Sequence, residues 1–391
     1  MGRRNAERLR QLVAKREIVG AAARAVNAID PDSVEASCLA HDLGHPPFGH
    51  IAEQVLQQEA SPFIPEGFEG NAQSFRIVTR LAVRIDTPGL DLTRGTLDGL
   101  LKYPWRYWPK DQSPGAKRER KWGYFQDDAD AFAFARAGCP PEKANELPER
   151  SLAAEIMDWA DDLTYAVHDV DDFFRAGLVP LDRLAEKNGN ERSHLRQMLE
   201  EIKRADPTGF PDATPAELVA TAGRVLSLNG PDAPYEHTVS ARVRMRSFGT
   251  KLITRYLEAF TLADDPTGKI KLEIDPDAYL EVVALKMLVV AYVIHRPGMA
   301  VVQHGQKRVI KELFEAYFMV SAKAGDPGSD HRLLPPGARE RLANSAQEES
   351  DRARVVVDLL AGLSEEAAIQ LHRRFSGGWT APTLDATAAF G

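Results

Sequence analysis

Apolar residues recur along this chain every three or four positions, which is the spacing of α-helices. Few stretches alternate apolar and polar residues, as a half-buried strand would. Turn-forming clusters separate the helical stretches, for example at 264–268 and in the loop at 324–337. The pattern therefore predicts a nearly all-α protein. Outside the two stretches treated separately below, helices are predicted over residues 5–28, 193–204, 215–228, 237–263, 277–294, 304–320 and 351–374.

The pattern over residues 151–175 predicts one helix with two distinct faces. Its apolar face has helical spacing and consists of Leu152, Ile156, Trp159 or Ala160, Leu163 and Val167. Asp161, Tyr165 and Asp169 are each four positions apart, so they form a polar stripe along another face. Such a stripe usually faces solvent.

Composition limits the class of protein. A chain of 391 residues that is 43% apolar can bury a large core, in one large helical domain or two smaller ones. The net charge of −8 argues against a general nucleic-acid coat protein. Only two cysteines occur, Cys38 and Cys139, which is typical of a reducing cytosol, and we expect a cytoplasmic protein.

No membrane segment is expected. The apolar run LKMLVVAYVI at 285–294 is shorter than the roughly 20 residues that span a bilayer, so it predicts a buried helix. The N-terminal sequence MGRRNAERLRQ is charged and no apolar region follows it, so no signal peptide is predicted.

Candidate chemistry is concentrated in HDLGHPPFGHIAE, residues 41–53, which holds three of the ten histidines of the chain. His41 and Asp42 are adjacent, and an imidazole and a carboxylate could both reach one divalent cation. The preceding run SVEASCLA is compatible with a buried helix. Pro46 and Pro47 would stop that helix, because proline lacks an amide proton and restricts the residue before it. The sequence therefore predicts a metal-binding pair at a helix end, followed by a sharp turn.

A second helix is predicted to begin near Gly49, and His50 and Glu53 would then share one face as an acid/base pair. Taken alone, such a pair can be an ordinary surface contact worth a few tenths of a kcal/mol. Ionisable groups beside the apolar segments CLA and PPF are costly unless they are paired or bind a metal. The cluster as a whole therefore indicates a functional site.

The segment HDLGHPPFGH resembles the signature of the HD-domain deoxyguanosinetriphosphate triphosphohydrolases, which cut a deoxynucleoside triphosphate into deoxynucleoside and inorganic triphosphate. Further matches are GFEGNAQSFRIVTRL at 67–81, LLKYPW at 100–105 and MDWADDLTYAVHDVDD at 157–172. The resemblance is dense in the first half of the chain and loose in the second. It implies an all-α HD-domain-type fold with an extended helical C-terminal part. We expect a metal and catalytic core over 1–185, with an insertion at about 103–125, and a helical C-terminal part over 186–391 packed on the core.

The resemblance also implies the roles of particular residues. It completes the metal site of His41 and Asp42 with Asp161, around a divalent ion that we expect to be Mg²⁺ or Mn²⁺, with Fe²⁺ or Co²⁺ as alternatives. His50, oriented by Glu53, would protonate the departing 5′-oxygen as a general acid.

The substrate implied by the resemblance is a deoxynucleoside triphosphate, and dGTP is the one we expect. His45 would contact the phosphates. Tyr165 would pack on the sugar at C2′, which leaves no room for a ribose hydroxyl, and Asp169 would take the 3′-hydroxyl. Relatives of this kind are usually homo-oligomers, so we expect a homo-oligomer here as well.

The first metal ligand of the family is absent. The family has a histidine in a pattern like Arg-Leu-Thr-His, but no histidine precedes His41. Matching RLRQ at 8–11 to that pattern puts Gln11 at the ligand position, and shifting by three residues puts Ala14 there. A start codon placed too late, a weakened metal site and a paralogue without catalysis all explain this. The alternative functions are therefore a catalytically weakened nucleotide-binding regulatory protein or an HD phosphohydrolase acting on another nucleotide.

Aromatic and basic residues are interleaved over residues 103–125. The aromatic ones are Trp105, Tyr107, Trp108, Trp122, Tyr124 and Phe125, and the basic ones are Lys110, Lys117, Arg118, Arg120 and Lys121. Such a segment can stack bases and neutralise phosphates, so a contact with single-stranded DNA is one interpretation. The other, which we favour, is a solvated insertion whose aromatic residues anchor its ends to the protein body.

The segment GNAQSFR lies near the active site in the family. Asn71, Gln73 and Arg76 are therefore candidate polar contacts to the substrate. The alternative is that they are helix-cap and surface residues.

Overall fold

The computed structural model describes residues 1–84, 87–109, 120–137, 139, 148–186, 189–264, 270–323 and 325–378. Apart from one two-stranded sheet, the regular secondary structure of this part of the chain is helical, so the predicted all-α class is confirmed. The helices from the N-terminus to the hairpin are α1 (Gly2–Ala14), α2 (Gly20–Asn27), α3 (Pro31–Ala40), α4 (His50–Ala60), α5 (Gly70–Arg76), α6 (Arg94–Leu100), α7 (Ala129–Ala135), α8 (Leu152–Arg175), α9 (Leu181–Ala185), α10 (Asn190–Ala205), α11 (Pro215–Asn229) and α12 (Val239–Glu258). The remaining elements are strands β1 (Phe260–Asp264) and β2 (Ile270–Ile274), then helices α13 (Pro276–Val289), α14 (Pro297–Val320), α15 (Pro336–Ala343), α16 (Glu349–Ala361) and α17 (Glu365–Phe375). Short π-helical turns cover Ile77–Leu81 and Val290–Ile294, and short 3₁₀ turns cover Gln126–Asp128 and His331–Leu333.

The chain divides into two compact units, and each is made of two separate stretches. The first unit comprises Met1–Cys38 and Leu152–Val301, and the second comprises Leu39–Ser151 and Val302–Gly391. The predicted boundary at 185/186 does not coincide with this division, and the two predicted domains stay a prediction.

Helix α8 occupies the core of the first unit. Its predicted apolar face is buried, with Ile156 and Leu163 fully inaccessible to solvent. This face packs against α1, α12 and α13, so burial of a 24-residue amphipathic helix organises the unit.

The prediction of one helix over residues 5–28 is wrong, because the chain turns between α1 and α2. Arg16 and Gly20 both have positive φ, at 61° and 67°. The amide of Glu17 donates to the carbonyl of Leu12 and closes the turn at the end of α1. Lys, Arg and Glu around the break are good helix formers, so Gly20 is the residue type there that indicates it. Helix α3 begins at Pro31, directly after Asp30, which caps it by accepting a hydrogen bond from the amide of Ser33 at 3.2 Å.

The prediction of a helix over 237–263 is wrong at its C-terminal end. Helix α12 ends at Glu258, and the following residues form β1, which pairs with β2 in an antiparallel hairpin. The register pairs Phe260 with Ile274, Leu262 with Leu272 and Asp264 with Ile270. The partner strand is what satisfies the backbone of this segment, and spacing within the segment does not reveal it.

The second unit has a core in which α4, α14 and α16 contribute apolar side chains. Leu56, Ile310, Leu313, Val356 and Leu360 are all fully buried there. The single helical pattern predicted over 351–374 is two helices, because the chain leaves α16 at Ala361 and restarts at α17. The hydroxyl of Ser364 caps α17 by accepting from the amide of Ala367, which explains the break at LSEE.

No single helix in the described ranges is long and apolar enough to cross a membrane. The helical segments 276–294 and 297–320, which meet at a bend of 79°, reach the required length and composition only when they are taken together. The run at 285–294 is largely buried, with Leu285, Leu288 and Val289 almost inaccessible, which confirms its prediction as a buried helical segment.

Candidate functional site

The turn after α3 carries His41 and Asp42, and α5 holds it in place. The hydroxyl of Ser74 donates to the His41 carbonyl at 2.6 Å and accepts from the Gly44 amide at 2.9 Å. A Cβ atom at Gly44 would lie only 2.1 Å from the backbone nitrogen of Ser74. The glycine therefore permits the close approach of the turn to α5 that orients the two candidate ligands.

Asp42 lies between two imidazoles. Its Oδ2 is 3.2 Å from Nε2 of His41, and its Oδ1 is 3.2 Å from Nδ1 of His45. Two adjacent ligands that each bind an ion at about 2.1 Å with an angle near 90° lie about 3 Å apart. The spacing of His41 and Asp42 is therefore compatible with a shared divalent ion, and their role as ligands stays a prediction.

His45 is held against the start of α5. A Cβ atom at Gly70 would come within 3.2 Å of the His45 ring, so the ring packs directly on the glycine backbone. Burial lowers the pKa of His45, and the nearby charge of Asp42 opposes that shift only in part. We infer that His45 is neutral at physiological pH and can donate one hydrogen bond to an anion.

His50 and Glu53 lie on one face of α4, as their spacing predicts. Nδ1 of His50 and Oε2 of Glu53 are 2.8 Å apart. The His50 side chain is 75% exposed, whereas that of Glu53 is only 10% exposed. The His50 ring contacts the His45 ring edge to face at 5.9 Å, so the two imidazoles border the same space.

Glu53 has a second partner that the sequence analysis did not identify. Nζ of Lys121 lies 2.7 Å from Oε1 of Glu53 and 3.0 Å from Oε1 of Glu69. Burial would raise the pKa of Glu53, but the His50 hydrogen bond and the Lys121 charge outweigh burial and hold it well below its ordinary value. Glu53 is therefore ionised across the physiological range. The sequence presents Lys121 only as one cation among aromatic residues, because its partners lie more than fifty positions away.

The predicted sugar and hydroxyl contacts lie on α8 in the first unit. Tyr165 is 50% exposed, and Nζ of Lys286 lies 5.8 Å from its ring centroid. Lys286 also forms an ion pair with Asp162 at 2.7 Å. Burial, and then the charge of Asp172, raises the pKa of Asp169. The stripe is thus partly accessible, with one aromatic face and a cation beside it.

The remaining candidate ligands also lie in the first unit. Asp161 is half-buried on α8, four residues before Tyr165, and its role as a ligand stays a prediction. Gln11 is exposed near the end of α1. Asn5 of the same helix is fully buried, and its side-chain amide has no hydrogen-bond partner within the residues that the structure describes.

The three polar residues of the GNAQSFR segment have protein partners in the second unit. Asn71 donates to Glu69 at 2.8 Å, and Gln73 donates to Asp358 at 3.0 Å. Arg76 forms ion pairs with Asp358 at 2.9 Å and with Asp128 at 3.2 Å. Gln73 and Arg76 are buried, so neither is a surface residue, and both belong to an internal polar network.

Most aromatic residues of the 103–125 segment are buried. Trp105, Trp122 and Phe125 pack with Ala72 in one small core cluster, and Tyr124 stacks on Phe132 at 3.9 Å. Their rings are therefore unavailable to nucleic-acid bases, which supports the interpretation that they anchor the segment. Lys110, Lys117 and Arg118 lie outside the described residues, and a contact with single-stranded DNA stays a prediction.

Comparisons with known proteins agree on one family. The chain is 36% identical over 372 residues to a deoxyguanosinetriphosphate triphosphohydrolase-like protein of Streptomyces coelicolor, covering 92% of this chain and 81% of that protein. A protein of the same description from Corynebacterium efficiens is 33% identical over 366 residues, covering 89% and 78% of the two chains. Residues 272–374 match the model of a phosphohydrolase-associated domain.

Proposed function

Since the chain belongs to the family of deoxyguanosinetriphosphate triphosphohydrolase-like proteins, a family of phosphohydrolases, we propose that it hydrolyses dGTP, with other deoxynucleoside triphosphates as further substrates. The products would be the deoxynucleoside and inorganic triphosphate. The observation that supports this proposal most directly is the His50–Glu53 pair, at 2.8 Å, on the helix that follows the His41–Asp42 turn.

A divalent ion, Mg²⁺ or Mn²⁺ with Fe²⁺ or Co²⁺ as alternatives, would be held by His41 and Asp42. Asp161 is the further ligand that the family resemblance predicts. Such an ion, when bound, polarises a phosphoryl oxygen and lowers the pKa of a coordinated water.

His50 would act as the general acid. Because the ionised carboxylate of Glu53 can only accept a hydrogen bond, Nδ1 of His50 carries a proton in this pair. In the imidazolium form of His50 both nitrogens carry a proton, and the one on Nε2 is the transferable proton. The exposure of the ring leaves this atom open to substrate. Protonation of the 5′-oxygen would let the deoxynucleoside leave as an alcohol, a contribution of about 10²–10⁴ in rate.

Three further residues would contact the substrate: His45, Tyr165 and Asp169. His45, neutral and held on Gly70, would donate to a phosphate oxygen. Tyr165 would pack on the sugar and exclude a 2′-hydroxyl, and Asp169 would accept from the 3′-hydroxyl.

The test is the identity of the products. Incubation with dGTP and Mn²⁺ or Mg²⁺ is expected to yield deoxyguanosine and intact triphosphate, observed by ³¹P NMR. In H₂¹⁸O the label should enter triphosphate and not deoxyguanosine, because water attacks phosphorus and the bond from phosphorus to the 5′-oxygen breaks. Pyrophosphate, or dGDP with phosphate, would contradict the mechanism. His50→Ala should lose turnover and keep its metal, whereas His304→Ala, at an exposed histidine of α14, serves as the matched control.

A second candidate is nucleotide binding without hydrolysis. It is favoured by the absence of the family's first histidine and by the exposure of the aligned Gln11. Calorimetric binding of dGTP with no product at any Mn²⁺ concentration would select this function over the first.

A further inference from the structure

Lys121 connects the candidate general acid to the interior of the second unit. Its ammonium contacts two carboxylates, Oε1 of Glu53 at 2.7 Å and Oε1 of Glu69 at 3.0 Å. Glu53 in turn faces His50. The result is a row of alternating charges that runs from a fully buried acid to an exposed imidazole.

Glu69 is the fixed end of this row. Its side chain is only 1% exposed, and its carboxylate accepts from the amide of Ala72 at 3.0 Å and from the side chain of Asn71 at 2.8 Å. The bond from Ala72 caps the start of α5. A carboxylate held in this way sets where the Lys121 ammonium can lie.

Lys121 fixes Glu53 in the same manner. Oε1 of Glu53 accepts from Lys121 and from the Gly70 amide at 3.3 Å, and this leaves Oε2 for His50 at 2.8 Å. With both oxygens engaged, the carboxylate cannot rotate away from the imidazole. Burial lowers the pKa of Lys121, but the charges of Glu69 and Glu53 outweigh burial and raise it, so the ammonium stays charged.

We propose that Lys121 is a positioning residue that fixes the carboxylate of Glu53 and thereby orients the imidazole of His50. This inference rests on the proposed function for its effect on turnover, but the orientation of His50 can be measured without any turnover. Lys121 does not need to touch the substrate in this role.

Lys121→Met removes the ammonium and keeps the length of the side chain. We expect kcat for dGTP to fall on the order of 10–100-fold, with KM changed less than about threefold, as for loss of a group that orients a catalytic side chain. Lys121→Arg keeps the positive charge and should retain kcat within about fivefold. Lys323→Met, at an exposed lysine paired with Glu348, is the matched control, and its kcat and KM should equal those of the wild type.

The Nδ1 proton of His50 gives a readout that is independent of activity. In the wild type its hydrogen bond to Glu53 should produce a downfield proton resonance, assigned by its loss in His50→Ala. That resonance should disappear or move upfield in Lys121→Met and persist in Lys121→Arg. If the protein hydrolyses no nucleotide and the resonance still responds in this way, the proposed function fails and the positioning role stands.

Two results would overturn the positioning role. An increased KM with unchanged kcat in Lys121→Met would assign Lys121 to substrate phosphate binding, and an unchanged His50 resonance would separate it from the pair. If Lys121→Met does not fold, Lys121→Met/Glu69→Gln removes the ammonium together with one of its two carboxylates. The double variant should show the same decrease in kcat and the same change in the His50 proton resonance as expected for Lys121→Met. If kcat and the resonance both match the wild type, the positioning role is refuted.

Discussion

The internal network around Arg76 gives a stability prediction that can be derived from the contacts. Nε and Nη2 of Arg76 donate to the two carboxylate oxygens of Asp358 at 2.9 and 3.1 Å. Asp358 also accepts from Gln73 at 3.0 Å. The side chain of Asp358 is fully buried, and that of Arg76 is 9% exposed. We therefore predict that Asp358→Ala strongly destabilises the second unit.

The expected magnitude follows from what the substitution leaves behind. Breaking a buried ion pair by removing one partner costs about 3–5 kcal/mol, because the other charge stays buried without its partner. Asp128 still accepts from Nη1 of Arg76 at 3.2 Å and compensates part of that charge. The buried amide of Gln73 also loses its acceptor, which adds roughly 1 kcal/mol. If the compensation by Asp128 is about as large as the loss of the Gln73 hydrogen bond, these effects together predict a loss of about 3–5 kcal/mol in the free energy of unfolding.

Urea unfolding is the assay, followed by tryptophan fluorescence and by circular dichroism. Trp105 and Trp122 are buried in the second unit and Trp159 in the first, so fluorescence reports on both units, including the one that carries the substitution. Glu315→Ala removes an exposed helical pair with Lys311 in the same unit and should cost less than about 0.5 kcal/mol. Equal unfolding midpoints for Asp358→Ala and Glu315→Ala would refute the reasoning.

A double variant tests whether the uncompensated charge of Arg76 causes the loss of stability in Asp358→Ala. Arg76→Met/Asp358→Leu replaces both charges by apolar groups, and such replacements are often neutral or stabilising. We expect it to recover most of the stability that Asp358→Ala loses. If the double variant is less stable than the single one, the uncompensated Arg76 charge is not the main cause of the loss, and packing or the buried Asp128, which then keeps Arg80 as its ion-pair partner, accounts for it.

Three further predictions concern the sugar, the metal and pH. Tyr165→Ala should narrow the difference in kcat/KM between dGTP and GTP, and an unchanged ratio would remove Tyr165 from the sugar pocket. Gln11→His should raise metal affinity and hydrolysis together if Gln11 occupies the ligand position, as metal titration of the two proteins will show. Burial, opposed by the Lys121 charge, raises the pKa of Glu69 to about 7. Below that pH the native state keeps a proton that the unfolded chain releases near its ordinary pKa, and above it Glu69 is the anion that pairs with Lys121. The wild type should therefore lose stability relative to Glu69→Gln as pH rises from about 4.5 to about 7, and parallel stability curves would contradict this.

Features that depend on neighbours in the sequence were predictable here. The contact of His50 with Glu53 follows from a spacing of three residues on one helix, and the cap of α3 follows from the sequence Asp30-Pro31. The missed features depend on distant partners. Lys121 reaches Glu53 across 68 positions, and no local pattern encodes a contact of that separation.

The errors in secondary structure have the same origin. The strand β1 exists because β2 pairs with it, and its own residues were compatible with a continued helix. The turn between α1 and α2 depends on positive φ at Arg16, a residue type that ordinarily favours helices. Arg76, predicted as a substrate contact or a surface group, is a buried ion paired with Asp358. No local pattern predicts this pair, because Asp358 lies 282 positions further along the chain.

The large sequence separation between Arg76 and Asp358 affects how the second unit folds during translation. Both compact units contain an early and a late stretch of the chain, so neither can be completed before its late stretch is translated, to Val301 in the first unit and to Gly391 in the second. At about 5–20 residues per second, Arg76 emerges some 14–56 s before Asp358. Asp128 follows only 52 positions after Arg76 and is available much sooner. Until synthesis ends, Asp128 is therefore the member of the buried network that can neutralise Arg76, and the nascent second unit exposes the apolar face of α4 that α16 later covers.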